Sequence, residues 1–330
     1  MNERVRTTTE YGRIGRRELL RTWGPAALVG GALVAAGATL HGREGRHRPP
    51  DEPADTRLPD WRTDPAAPGR IAVASGHGPA ENVRRAVGAL GGSEVFIRPG
   101  DTVAIKPNCA WDRTPAQAAN TDPNVVAELV RLCLAAGAAA VTVIDNSCHD
   151  PKRTFDRSGI GPMAREAGAT VLHQGNAATT PYDLGGTVLG TWKVLRPIAE
   201  ADRLINVPVV KHHSLSRVTL GMKNWMGAIV GGRGTLHQRI SQSSAELGAA
   251  FRPTLTVVDA TRILTGGGPT GGSLELVRAV DRVAATTDPV VADAWGAELL
   301  EIVPEDLPHL AIASRLGLGS TDWRSRAVEL

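Results

Sequence analysis

The residues best suited to chemistry fall in one stretch, Lys211 to His237, which reads KHHSLSRVTLGMKNWMGAIVGGRGTLH. Lys211, Arg217, Lys223 and Arg233 are cations spaced along it, and Gly231, Gly232 and Gly234 let backbone N–H groups approach an anion closely. That set suits a carboxylate or phosphate held by lysines acting as point charges, with Asn224 as a further ligand. His213 and His237 add groups able to move protons or to ligate a metal. His212 and His213 are adjacent, which is not the i,i+4 helical metal spacing, and no HExxH occurs. With Asp145 or Asp259 a two-His, one-carboxylate site can be drawn; the plainer reading is a pair of hydrogen-bonding histidines. The nucleotide-binding patterns GxxxxGK[ST] and GxGxxG are absent, as is the GxSxG elbow of a serine nucleophile.

Other polar residues sit where short apolar runs end. Lys106 and Asn108 follow the run 101–105, Asp145 ends 141–145, and Asp259 ends 254–259. In parallel sheets, ligands bind at the C-terminal ends of strands, so this placement predicts one shared site. Asp145 and Asp259 would orient its cations and histidines. The glycine-rich run 263–272, with Gly268 at its centre, is expected to wrap the ligand, against the alternative of a surface turn.

The elements that must position these groups alternate strand and helix. Strands are expected at 71–75, 101–105, 141–145, 170–173, 203–207, 254–259 and 283–287, with the run ahead of Lys211 extending to 210. Helices are expected at 80–90, 123–136, 160–167, 217–229, 243–250, 289–300 and 307–316. Thr121 or Asp122 can cap the helix that starts at Pro123, and Asp288 the one that starts at Pro289. The pattern predicts an α/β domain, a largely parallel sheet with helices on both faces, over 70–330.

Ahead of it lie two segments of other character. Arg16-Arg17 precedes a Gly- and Ala-rich apolar stretch from Trp23 to Leu40, containing the small-x-small sequence Ala36-Gly37-Ala38. This order is that of a twin-arginine export signal over residues 1–40. It predicts a periplasmic, extracellular or cell-envelope protein that meets the twin-arginine machinery and touches a membrane only through an uncleaved leader. Residues 41–69, rich in Pro, Arg and Asp, read as a disordered linker.

Composition narrows the partners. The chain has 37 Lys and Arg against 34 Asp and Glu. Nine of those cations, all Arg, and four of the acids lie within residues 1–48. The remaining body is therefore close to neutral, which does not suit a nucleic-acid binder. Apolar residues make up 42% of the chain, enough for a sizeable core. Three cysteines, Cys109, Cys133 and Cys148, cannot supply the four ligands of an ordinary iron–sulfur cluster. No other cofactor is named by the sequence.

Several of these segments together resemble the family known as domain of unknown function 362. They are Val103–Asn108, Thr121–Val126, Leu204–Pro208, Lys211–His213, Thr219–Asn224, Gly227, His237, Pro253–Asp259, Gly268-Pro269, Gly271-Gly272 and Asp288–Asp293. The resemblance spans roughly residues 70–320 and implies membership without implying a reaction. Many relatives are similar to iron–sulfur proteins through fused ferredoxin-like cysteine motifs, which this chain lacks. The Lys/His/Gly segment is also distantly similar to the substrate domain of nickel-pincer lactate racemases. The expectation is an exported enzyme that binds a small anion, with a non-catalytic ligand, metal or redox-accessory protein of the envelope as the alternative, and a structural envelope domain as a third. A cavity uniting Lys106, Lys211 and Lys223 separates the first two from the third.

Overall fold

The computed structural model describes residues 56–63 and 69–330. The expected leader lies outside the described residues.

The chain runs through β1 (Ile71–Ser75), α1 (Pro79–Ala89), β2 (Thr102–Pro107), α2 (Pro123–Ala135), β3 (Ala140–Asp145), α3 (Pro151–Arg157), α4 (Ile160–Glu166) and β4 (Thr170–His173). It continues with β5 (Thr179–Asp183), β6 (Thr191–Leu195), α5 (Arg196–Ala199), β7 (Arg203–Val207), β8 (Val209–His213), β9 (Arg217–Thr219), α6 (Gly221–Asn224) and β10 (Ile229–Val230). The last elements are α7 (Ile240–Ala250), β11 (Leu255–Leu264), β12 (Val277–Thr286), α8 (Pro289–Leu299), α9 (Pro308–Arg315) and β13 (Ala327–Glu329).

The main sheet has the order β13-β1-β12-β11-β7-β2-β3-β4, and β8 joins β11 and β9. Strands β11, β7, β2, β3 and β4 are mutually parallel, while β12 runs antiparallel between β1 and β11. A small second sheet has the order β10-β6-β5.

Both faces of the main sheet are covered because its strands are apolar at successive positions. Val103 and Ile105 of β2 pack with Val125 and Leu129 of α2, whereas Ala104 between them joins Leu204 and Trp192 on the other face. Further along, Val257 belongs to the first layer, and Val258 packs with Val290 and Trp295 of α8. Alternation of side chains along each strand makes this two-sided core possible. Each large side chain fully buried there contributes about 1.5–3 kcal/mol.

Local signals fix the helix starts. Asp122 accepts the Asn124 N–H ahead of α2, and Asp288 accepts the Val290 and Val291 N–H groups ahead of α8. Each precedes a proline whose fixed φ suits the first helical turn.

Three expectations need correction. Residues 217–229 are not one helix: they divide into β9, the single turn α6, a 3-10 turn at Trp225–Gly227 and β10. The segment forms a hairpin with β8 first, since Val218 and Leu220 bury on the sheet. The strand ahead of Lys211 also breaks at Pro208, so Lys211, His212 and His213 lie within β8 rather than after a strand. Finally, part of the stretch read as linker packs on the domain: Trp61 is 2% exposed and donates its indole N–H to the Ala201 carbonyl at 2.8 Å.

Candidate functional site

A cavity of about 370 Å³ opens at the C-terminal ends of β2 and β3, roofed by the β8–β9 hairpin, α6 and the turn that follows. Nine of the expected residues line it: Lys106, Asn108, Asp145, Lys211, His213, Lys223, Asn224, Arg233 and His237.

Each is placed by its element. In the antiparallel β8–β9 ladder Lys211 lies opposite Thr219, and His213 is two residues along from Lys211. Cross-strand partners and i,i+2 neighbours share a face, so Lys211, His213 and Thr219 line the cavity together. His212 alternates away and accepts the Gly268 N–H on its Nδ1 at 3.2 Å. One turn, α6, supplies Lys223 and Asn224. The buried Asp293 fixes its start by accepting the Gly221 N–H at 2.6 Å and the Met222 N–H at 3.3 Å.

A buried polar network forms the floor. Lys106 Nζ pairs with Asp145 Oδ1 at 2.7 Å and donates to the Pro107 carbonyl and Asn224 Oδ1. Asp145 also accepts the Cys109 and Asn146 N–H groups. Asn224 receives the Asn108 amide at 2.9 Å and donates to Asn206 Oδ1 at 2.9 Å. Burial pushes the Lys106 pKa down, and the Asp145 carboxylate opposes that shift.

Two other lysines have no carboxylate partner among the described residues. Lys211 is 1% exposed and donates to Asn108 Oδ1 at 2.9 Å and to the Ala119 carbonyl. Burial, reinforced by Lys223, lowers its pKa to about 7. The Lys223 ammonium makes no hydrogen bond or ion pair among the described residues. Burial lowers its pKa to about 8, with Cys148 pulling upward and Arg233 downward.

The histidines are neutral. Nδ1 of His213 accepts the Leu215 N–H at 3.1 Å and the Ser216 N–H at 3.4 Å, which leaves the ring proton on Nε2. Burial and then Lys223 push its pKa down to about 3. The His237 pKa is lowered by the same two causes, in the same order. The two rings stack with centroids 6.1 Å apart. Among the described residues no group of three His, Cys, Asp or Glu is arranged to hold a metal ion, so the two-His, one-carboxylate arrangement is not formed.

Four expected site residues have other duties. Lys106 is neutralised by Asp145 and offers no free charge to a ligand. Arg233 donates to the Asn146, Ser147 and Met226 carbonyls, tying its 3-10 segment to the loop after β3. Asp259 stands outside the cavity lining; it accepts the Asp122 N–H and both donors of Thr261, and its pKa is raised by burial and by Asp122. Gly268 also lies outside the lining, and its neighbours Pro269 and Thr270 reach the cavity instead. A Cβ on Gly268 would come within 1.8 Å of the His212 carbonyl, so glycine allows the loop to seat on β8.

Residue types alone did not single out Trp111, Cys148, Thr219, Met226 and Gly227 as lining the cavity. The signal for Thr219 was period-two pairing with Lys211, hidden by the helical reading. Gly227 is required by close approach: a Cβ there would lie 1.9 Å from Asp145 Oδ1 and 2.7 Å from Lys106 Nζ.

Four cations and one carboxylate line the wall of the cavity on this α/β scaffold. The family described as Domain of unknown function (DUF362) matches residues 103–298, more than half of the sequence, and the chain belongs to it. It is 26% identical over 249 residues to the thylakoid-associated protein sll1697 of Synechocystis sp., covering 73% of this chain and 75% of that one. Among solved structures it is similar to a lactate racemase apoprotein from Thermoanaerobacterium thermosaccharolyticum, with TM-score 0.42 and 14% identity over 73% of this chain. A Thermotoga maritima protein gives TM-score 0.36 and 10% identity over the same share. The chain spans 58% and 60% of the lengths of those two structures. No helix of the described residues is long and apolar enough to cross a membrane.

Proposed function

We propose that this is an exported enzyme, delivered by the twin-arginine leader of residues 1–40, that binds a small carboxylate or phosphate in the cavity beneath α6. The observation that carries the reading is the pair Lys211 and Lys223, two enclosed ammonium groups facing one cavity without a carboxylate partner among the described residues. Burying a cation is costly unless a counter-charge arrives, so a bound anion completes the site. Lys223, less buried than Lys211, supplies charge to the ligand. Lys211, with a pKa of about 7, is divided between amine and ammonium near neutrality and can act as a general base or acid. The neutral His213 offers a hydrogen bond from Nε2 without competing for the charge.

The non-catalytic reading shares the same pocket and differs in lacking turnover; the near-neutral Lys211 favours the enzyme. Calorimetric titration with a panel of small carboxylates and phosphates tests the binding step. Replacing Lys211 or Lys223 by alanine should weaken binding on the order of 10- to 100-fold, the worth of one charged hydrogen bond. Circular dichroism should show the domain still folded. Unchanged affinity in both variants would overturn the assignment.

A further inference from the structure

The chain has three thiols, and only one of them is accessible. Cys109 and Cys133 are buried, and burial pushes both thiols up, Cys133 to about 12. Cys148 is exposed, free, and in the wall of the cavity. Its loop is fixed at several points: the Cys148 N–H donates to the Ala110 carbonyl at 2.9 Å, and Ser147 Oγ to the Cys109 carbonyl at 2.6 Å. Arg233 bonds the Ser147 carbonyl at 3.1 Å and places its Nη2 3.5 Å from Cys148 Sγ, as a donor to sulfur.

A second feature of the same cavity points to a ligand. Thr219 lines it, is 3% exposed, and its hydroxyl has no hydrogen-bond partner. Leaving a buried hydroxyl unpaired costs about 1–3 kcal/mol, which favours a ligand with a polar atom to meet it. Lys223 is likewise unpartnered among the described residues. The cavity thus presents a thiol beside a guanidinium, with an unpartnered ammonium and an unpartnered hydroxyl in the same lining. The thiolate is the nucleophilic form of a cysteine.

We propose that Cys148 is a nucleophile of this anion site, and that the ligand it takes is a small carboxylate bearing an electrophilic carbon. The inference rests on the anion-binding reading above. Lys223 holds the carboxylate and Thr219 bonds one of its oxygens, which sets the neighbouring carbon against Sγ. With a 2-oxo acid the Cys148 thiolate adds to the carbonyl carbon and a C–S bond forms. The carbonyl π pair moves to oxygen, which takes a proton from the Lys211 ammonium. The proton that the Cys148 thiol gave up restores the Lys211 ammonium, so the sum is reversible addition of S–H across C=O, with no oxidant or reductant involved.

The test compares iodoacetate with iodoacetamide on the full chain, with labelling at Cys148 followed by peptide mass spectrometry. Each reagent forms a C–S bond to Sγ and expels iodide; they differ in the carboxylate. The site should make iodoacetate faster by about tenfold relative to the same ratio in the urea-unfolded chain, the effect of roughly one screened charge contact. Inorganic phosphate should slow it, Lys223→Met should abolish the preference, and Lys223→Arg should retain it. A folded-state ratio equal to the unfolded one, or a preference that survives Lys223→Met, overturns the proposal. If phosphate still binds by calorimetry in that case, only the nucleophile is lost; if it does not, the anion-binding reading fails too.

Discussion

Lys106 and Lys211 are both lysines 1% exposed at the same cavity, yet their surroundings give them opposite roles. Lys106 has Asp145 at 2.7 Å and is a structural cation. Lys211 hydrogen-bonds only neutral oxygens, so its charge is available to a ligand, and burial and then Lys223 lower its pKa. Asp145→Asn should therefore act on stability. It leaves Lys106 buried without its counter-charge, and loss of one partner of such a pair costs about 3–5 kcal/mol. Urea denaturation at neutral pH measures this. A loss below about 1 kcal/mol would mean that the pair is dispensable to the fold. The lysines that the sequence marked as one class are thus separated by a single neighbour, and residue type carries no record of that neighbour.

Among the elements, α6 and the turn after it matter most to the site, because they carry Lys223, Asn224 and Gly227 in a short span. Asp293 anchors their start, and Gly227 lets their end rest on the ion pair. Gly227→Ala forces a methyl against Asp145 Oδ1, where overpacking costs about 1–3 kcal/mol. The expected result is a lower urea midpoint with an unchanged slope, together with weaker anion binding as Lys223 shifts. The long elements were legible in the sequence: Asp122 and Asp288 before prolines, and apolar runs ending in Lys106 and Asp145, mark α2, α8, β2 and β3 within a few residues. The span 217–229 was not, because Val218, Leu220, Met222 and Trp225 fit a helix as well as a hairpin followed by a turn. Pairing with β8 decides between them, and pairing is a tertiary fact. For the same reason Asp259 looked like a site residue: it ends an apolar run, but β11 continues past it and its oxygens are taken by Asp122 and Thr261.

At the scale of the molecule, a parallel sheet brings distant segments to one edge, and β2, β3, β8, α6 and the segment 233–239 meet there around a cationic cavity. The central claim is that the charge on Lys211 and Lys223 awaits an anion, and their depressed pKa values give it a pH signature. The folded domain binds fewer protons than the unfolded chain between these values and the ordinary lysine value of 10.5. Its stability therefore rises with pH across that window, and the cost of the buried charges is fully present below about 7. An anion acts in the opposite sense, since it binds the protonated lysines. Calorimetric titration of phosphate or a small dicarboxylate, in buffers of differing ionisation heat, tests this most directly. Affinity should fall as pH rises through about 7 and then about 8, with protons taken up from the buffer on binding within that range. An affinity that holds constant through the same range, with no proton uptake beyond that of the anion itself, would contradict the account.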